Sequence, residues 1–294
     1  MDLLGVAPDF LAVGHVTHDL IDGRIRLGGA ALYSVLTAHR MGKKAGILTS
    51  HGEDFRGREL LKNIPAVVVP AKKTSTFQTA YVSGARSQQV QEIAGSLETR
   101  SLPDSWRHAG IAYLCPVLHE VPVEMGEILG DGLLGVAPQG WMRRWNGSGK
   151  ILPRRWRDFD PLLRRAAMVI VSEEDMRGNE DLVERFRERT AIVIVTRAER
   201  GARIYTPERS LAFGVYPARE QDPTGAGDCF GAAFLIRYAE TASVLEAGRF
   251  ASCVASFVVE RQGTDGIPNR DEVLERLASH SIPIREEEGK GSSS

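Results

Sequence analysis

The segment Asp222-Pro-Thr-Gly-Ala-Gly-Asp228 runs into Cys-Phe-Gly-Ala-Ala-Phe-Leu and so sets small residues and a carboxylate at a predicted helix start. Pro223, Gly225 and Gly227 break regular structure, whereas Cys229 to Tyr238 is apolar apart from Arg237 and free of Gly and Pro after Gly231, as a packed helix would be. The unpaired N–H groups and positive dipole end of such a helix attract an anion, and glycines let a phosphate approach the backbone closely. Asp228 adds something a bare anion nest does not need, a proton acceptor for an attacking hydroxyl. Together they suit phosphoryl transfer. For an isolated Gly-Ala-Gly-Asp, an acidic residue serving only as a helix-start residue is an equal reading.

A second carboxylate, Asp19, follows the first apolar strand, Phe10 to Val16, through Gly14-His-Val-Thr-His. It falls at the strand's C-terminal end, where open α/β sheets bind ligands. A carboxylate accepts hydrogen bonds from adjacent hydroxyls and suits a polyol; a merely solvated loop Asp is the plain alternative.

The Asp222 to Asp228 string, together with Gly28-Gly29 near the N-terminus, resembles the two signature motifs of the PfkB-type, ribokinase-like carbohydrate kinases. The resemblance rests on Phe10 to Asp19, Leu27-Gly-Gly-Ala-Ala, Ser50-His-Gly-Glu-Asp-Phe55, the Asp222 to Asp228 string and Gly263-Thr-Asp-Gly-Ile-Pro268. It implies an α/β chain of ribokinase-like three-layer α/β/α form, with a mainly parallel central sheet and a small β lid. One kinase domain is expected over 1–284, with the lid inserted within about 67–97 and a disordered tail over 285–294. The implied reaction is ATP-dependent phosphorylation of a hydroxyl on a small sugar, cyclitol or nucleoside, with Asp228 as general base and Gly225, Ala226 and Gly227 as anion hole. The alternative is a catalytically silent sugar- or nucleotide-binding member of the same fold.

Carried over residue by residue, the resemblance makes Asp19, Gly28, Gly29 and Tyr33 substrate-binding. Tyr33 stands where the family usually has Asn, and stacking on a substrate and packing in the core are both open to it. Gln139 and Arg143, in Gly135-Val-Ala-Pro-Gln-Gly-Trp-Met-Arg143, join the acceptor side and look nearer the myo-inositol kinase branch. Thr196 and Gly201 match a Thr-x-Gly-x-x-Gly segment beside ATP, with Ala198 at its first glycine. Thr224, Gly225 and Gly227, with Ser252, Cys253 and Ser256 as adenine-side wall, complete the nucleotide site. Mg²⁺ would be met through water by Glu174 and Asp175 in Ser172-Glu-Glu-Asp175, which is equally a good helix cap. Some relatives carry a monovalent cation such as K⁺ near Asp222.

The elements that must position these residues alternate along the chain. Strands are predicted at Phe10 to Val16, Ala45 to Thr49, Ile111 to Leu114, Met168 to Val171 and Ala191 to Thr196, and a helix at Ala31 to Met41. The run Ile192-Val-Ile-Val195 predicts burial on both faces. Between about Val67 and Leu97, polar β-branched segments such as Thr74 to Val82, broken by Gly84, predict strands with one wet face. By resemblance these form the lid, which often doubles as a homodimer interface; a surface hairpin on a monomer is the other reading.

A chain of 294 residues with 43% hydrophobic content can bury one large core, and a net charge of −1 gives no footprint for nucleic acid or an anionic membrane. Cys115, Cys229 and Cys253 form neither a disulfide framework nor a zinc pattern. With no signal-like start and no membrane-length apolar run, the expected location is the cytoplasm. Arg154-Arg155-Trp156-Arg157 reads as a solvated face. Gly147-Ser-Gly-Lys-Ile151 lacks the upstream glycine and the hydroxyl of a Walker loop and reads as a loop, and no Gly-x-Gly-x-x-Gly follows the first strand.

Overall fold

The computed structural model describes residues 5–82, 85–157, 159–176, 179 and 181–287. Strand β1 (Phe10–Val13) leads into a hairpin, β2 (Thr17–Ile21) and β3 (Arg24–Gly28), then helix α1 (Ala30–Arg40), β4 (Ala45–His51) and β5 (Ala66–Pro70). Next come β6 (Ser75–Val82), β7 (Ala85–Glu92), β8 (Ile111–Leu114), β9 (Leu133–Val136) and a short hairpin, β10 (Arg143–Trp145) and β11 (Ile151–Pro153). The C-terminal half holds α2 (Asp160–Arg165), β12 (Met168–Ser172), α3 (Leu182–Arg187), β13 (Ile192–Thr196), β14 (Ala202–Tyr205) and β15 (Ser210–Phe213). Helices α4 (Ala226–Thr241), α5 (Val244–Val258) and α6 (Arg270–Ser279) and strand β16 (Ile284–Glu287) close the chain.

Ten strands form one sheet in the order β16-β15-β14-β13-β12-β9-β8-β1-β4-β5. From β5 to β13 the pairings are parallel, and β14, β15 and β16 are added antiparallel. The period of two decides the layers. Phe10, Ala12, Ile192 and Ile194 join a core with α1, α4 and α5, whereas Leu11, Val13, Val193 and Val195 join a second core with Trp106, Trp156, Leu162 and Phe186. Both sheet faces are covered, so the strands read as continuous apolar runs. The chain is thus an α/β/α sandwich, and among the described residues no helix is long and apolar enough to cross a membrane.

Order reverses between β1 and β8. The chain goes from β1 outward to β4 and β5, then returns to β8 on the other side. A crevice opens at the C-terminal ends of strands where such a reversal occurs. Over it lies a four-stranded sheet, β3-β2-β6-β7, in which β2 and β6 are parallel and the other pairs antiparallel.

Several expected boundaries move. β1 stops at Val13 rather than Val16, because His15 N–H donates to a Glu120 carboxylate oxygen (3.0 Å) and Val16 N–H to Thr49 Oγ1 (2.9 Å) as the chain leaves the sheet. The lid begins with 17–28, and Ala66–Pro70 pairs with β4 in the main sheet. Residues 284–287 pair with β15 instead of fraying; Gly84 and 288–294 lie outside the described residues. The loop at 147–151 is the turn of the β10–β11 hairpin, with Ile151 already in the strand and Gly149 at φ 78°.

Candidate active site

Helix α4 begins as its local sequence dictates. Gly225 caps it in the left-handed region at φ 80°, where a Cβ would lie 2.2 Å from the Tyr33 ring. The cap therefore has to be glycine on both conformational and steric grounds. Two residues on, a Cβ at Gly227 would meet nothing within 4 Å, so this part of the turn faces open space. Ala226 N–H is drawn inward to Pro223 O (3.2 Å), and Asp228 sits in the first turn with its side chain half-buried.

Helix α1 repeats the device. Its cap Gly29 has φ 99°, and a Cβ there would approach His15 O to 2.3 Å. A Cβ at Gly28 would meet Asp19 Oδ2 at 2.4 Å and Thr17 Oγ1 at 2.7 Å, so the Gly pair makes room for the carboxylate. Two glycine-capped helix starts thus stand at the reversal point, each offering N–H groups that its own helix cannot use.

Asp19 lies on lid strand β2 rather than on a loop, buried at 6% exposure. The pairing Asp19↔Arg26 and Thr17↔Gly28, continued by Asp19↔Phe77 and Phe77↔Val90, places Thr17, Asp19, Arg26, Phe77, Thr79, Gln88 and Val90 on one lid face. On the other face His18 stacks on Phe55, and its Nε2 accepts from Arg56 N–H (3.2 Å); burial pushes its imidazole below the ordinary 6.5.

Tyr33 belongs to the core: it is 1% exposed, its ring lies under Gly225, and its hydroxyl has no hydrogen-bond partner. The packing alternative describes its place here, since the ring fills the space directly beneath the capping glycine. Burial first, then Cys229 and the carboxylates of Asp222, Asp228 and Asp19, push its phenol far above the ordinary value. All three carboxylates therefore lie within electrostatic range of one hydroxyl.

Asp222 organises the turn from below. Its Oδ1 accepts Thr224 N–H (3.1 Å), and its Oδ2 accepts Gly263 N–H (3.1 Å) and Arg26 Nη1 (3.2 Å). Three N–H donors, one of them a full cation, surround a carboxylate that is 5% exposed. A metal cation wants oxygen ligands, so this environment does not fit the monovalent ion that the resemblance implies.

On the other side of the crevice, Ser172 and Thr196 are register partners at the ends of β12 and β13. The loop after β13 turns through Ala198, a non-glycine residue at φ 50°, and Gly201 at φ 79°. Arg200 pairs with Glu173, joining this loop to the Ser172–Asp175 turn. Asp175 accepts from Ser172 Oγ (2.6 Å) and from Gln139 Nε2 (3.1 Å), and its own N–H donates to Ser172 Oγ, so the two residues close a turn; the helix start expected there does not form, since α3 begins only at Leu182, and Glu174 is exposed. Gln139, expected on the acceptor, is turned toward Asp175. Arg143 spans from Val117 O (3.3 Å) to Gln88 Oε1 on the lid (3.5 Å).

The expected adenine-side wall is only partly in place. Cys253 is fully buried with Sγ against Val273 O (3.6 Å), and Ser256 Oγ donates to Cys253 O (2.7 Å) and accepts from Arg276 (2.9 Å). Both are therefore spent on packing α5 against α6. Ser252 remains, 7% exposed and with its hydroxyl unpartnered. Among the described residues no group of three or more His, Cys, Asp or Glu could hold a metal. The sequence reading missed Arg26, Thr17, Phe77, Thr79 and Gln88. Alternation along 74–82 was the available signal for the lid face, but nothing local pointed to Arg26.

A family model for pfkB family carbohydrate kinases matches residues 160–270. The chain is similar to a nucleoside kinase of Methanothermobacter thermautotrophicus, 25% identical over 309 residues that cover 92% of this chain and 96% of the relative. A nucleoside kinase of Methanocaldococcus jannaschii is 36% identical over 102 residues, a stretch that spans 34% of each chain. Among solved structures, a pyrophosphate-dependent kinase of the ribokinase family, complexed with a pyrophosphate analog and myo-inositol, superimposes with a TM-score of 0.76 at 22% identity, over 91% of this chain and 99% of the other.

Proposed function

We propose that the chain is a PfkB, ribokinase-like carbohydrate kinase that transfers the terminal phosphoryl group of ATP to a hydroxyl of a cyclitol, small sugar or nucleoside, a reading supported by the family match over 160–270 and the likeness to nucleoside kinases. The observation that carries this is the packing of two glycine-capped helix starts against each other, Gly225 of α4 over the Tyr33 ring of α1, with Asp19 set against Gly28 and Asp228 in the first turn of α4. In this reading Asp19, shaped by the Gly28-Gly29 pair, accepts hydrogen bonds from acceptor hydroxyls and fixes which one faces the phosphate. Asp228 accepts that hydroxyl's proton late in a loose transition state, where a weak base suffices. The N–H groups around Gly225 and Gly227 are aimed at the charge on the transferred phosphoryl. Apolar Phe77 and Val90 on the lid face suit a ring with one apolar side, and Thr79 and Gln88 add polar contacts to its edge.

The nucleotide would lie beyond the ends of β12 and β13, along Thr196, Gly201, Thr224 and Ser252. Exposed Glu174 and the Asp175 carboxylate fit Mg²⁺ held through water, and that ion would neutralise phosphate charge. Lid strands over the crevice exclude water, which disfavours hydrolysis of the donor.

The test is product formation from ATP, and separately from pyrophosphate, against myo-inositol, ribose and a set of nucleosides, followed by ³¹P NMR. A phosphate monoester formed from one acceptor with ATP is the expected result. Tight binding of an acceptor without turnover from either donor would make the chain a silent binding member of the fold. Turnover from pyrophosphate alone would keep the kinase and change its donor.

A further inference from the structure

We propose that Arg26 is a built-in counter-cation for Asp222, doing from the lid what a bound monovalent ion would otherwise do, and that it thereby ties lid position to the shape of the phosphate-binding turn. The Asp222 carboxylate is nearly sealed from water at 5% exposure, while the guanidinium that reaches it is 37% exposed. A carboxylate so buried needs a nearby positive charge or it destabilises the fold. Two backbone N–H groups do not supply a net charge; Arg26, at 3.2 Å, does.

The placement of this pair gives it a role beyond neutralisation. Asp222 Oδ1 holds Thr224 N–H, one residue before the capping Gly225, and its Oδ2 holds Gly263 N–H at the head of the turn Gly263–Gly266. Whatever fixes the carboxylate therefore fixes the turn before α4 and the head of the Gly263–Gly266 turn relative to each other. Arg26 stands directly opposite Asp19 in the β2–β3 pairing, on the same lid face. One short hairpin thus carries the acceptor-gripping carboxylate and the cation that braces the phosphate turn. Opening the lid withdraws both. Arg26 is a positioning residue: it acts on the turn through Asp222.

A second cation at Asp222 would also have to sit beside the guanidinium, and like charges that close, around a poorly solvated carboxylate, repel strongly. The protein should therefore be indifferent to K⁺, whereas removal of the guanidinium should leave a vacated, buried anionic site that K⁺ can enter.

The inference rests on the kinase reading only for what the turn binds, so the experiment needs no acceptor. Thermal unfolding is followed while KCl replaces tetramethylammonium chloride at constant ionic strength, for the wild type, Arg26→Gln, Arg26→Lys and Arg26→Gln combined with Asp222→Asn. The wild type and Arg26→Lys should vary by less than about 1 °C across the series. Arg26→Gln should melt about 3 °C or more lower in tetramethylammonium and regain most of the loss as K⁺ is added, along a saturating curve. The double variant should lose that K⁺ response. A saturable K⁺ effect on the wild type overturns the proposal. So does a loss in Arg26→Gln that no K⁺ concentration repairs, which would make the pair an ordinary brace, or no loss at all. Failure of the kinase reading would appear separately, as absent turnover with these ion responses intact.

Discussion

Gly225 and Gly227 stand two residues apart and predict opposite responses to alanine. At Gly225 the φ of 80° and the 2.2 Å approach to Tyr33 make Gly225→Ala a folding defect, on the order of 2–4 kcal/mol in urea unfolding. At Gly227 a methyl meets nothing within 4 Å, so Gly227→Ala should leave stability within about 1 kcal/mol of wild type. The same methyl occupies the side from which a phosphate would come, and turnover should fall at least about tenfold. Parallel urea melts and initial rates separate the two; equal stability losses would refute the assignment of the open side of the turn. The residue scale also shows where the sequence was legible. Glycines, Pro223 and an acidic first turn are local signals, so the motif could be read directly. Arg26 could not, because its partner Asp222 is 196 residues away.

At the scale of elements, α4 is held at its far end by an ionic cluster. Glu240 accepts from Lys43 (2.8 Å) and from both terminal nitrogens of Arg270 (2.9 and 2.8 Å), joining α4 to α6 and to the turn after α1. Burial alone would raise the Glu240 carboxyl, but the hydrogen bonds from Arg270 and Lys43 outweigh it and hold the group at about 2 against an ordinary 4.5. A lowered folded value means stability that is complete above the unfolded value and lost as pH falls from about 4.5 toward about 2. After allowance for solvent screening, Glu240→Gln should cost about 1–2 kcal/mol at pH 7. Its gap from wild type in urea unfolding should narrow below about pH 4.5; a gap unchanged between pH 6 and pH 3 would contradict the ionic account. The main-sheet strands were legible as apolar runs, because both faces are covered. The lid was only half legible: Thr74 to Val82 showed alternation, but Thr17–Ile21 reads locally as a loop and becomes a strand only by pairing with Ser75–Val82 and Arg24–Gly28.

Across the whole molecule, one topological fact assembles the site. Because the chain runs from β1 outward and returns at β8, residues from the first hairpin, from α1, from the β12 and β13 ends and from the start of α4 reach one rim of one sheet. Alternating strands and helices made the sandwich foreseeable. The surroundings of Cys253 and Ser256 were not, since these residues face α6 only once Arg276 packs across α5. The central claim is that this rim transfers a phosphoryl group with Asp228 as the proton acceptor. The most direct measurement is single-turnover phosphoryl transfer by Asp228→Asn at saturating donor and acceptor, beside calorimetric binding of each. The account predicts transfer slowed by about 10²–10⁴-fold with both affinities and the melting temperature nearly unchanged. Transfer at the wild-type rate would contradict it.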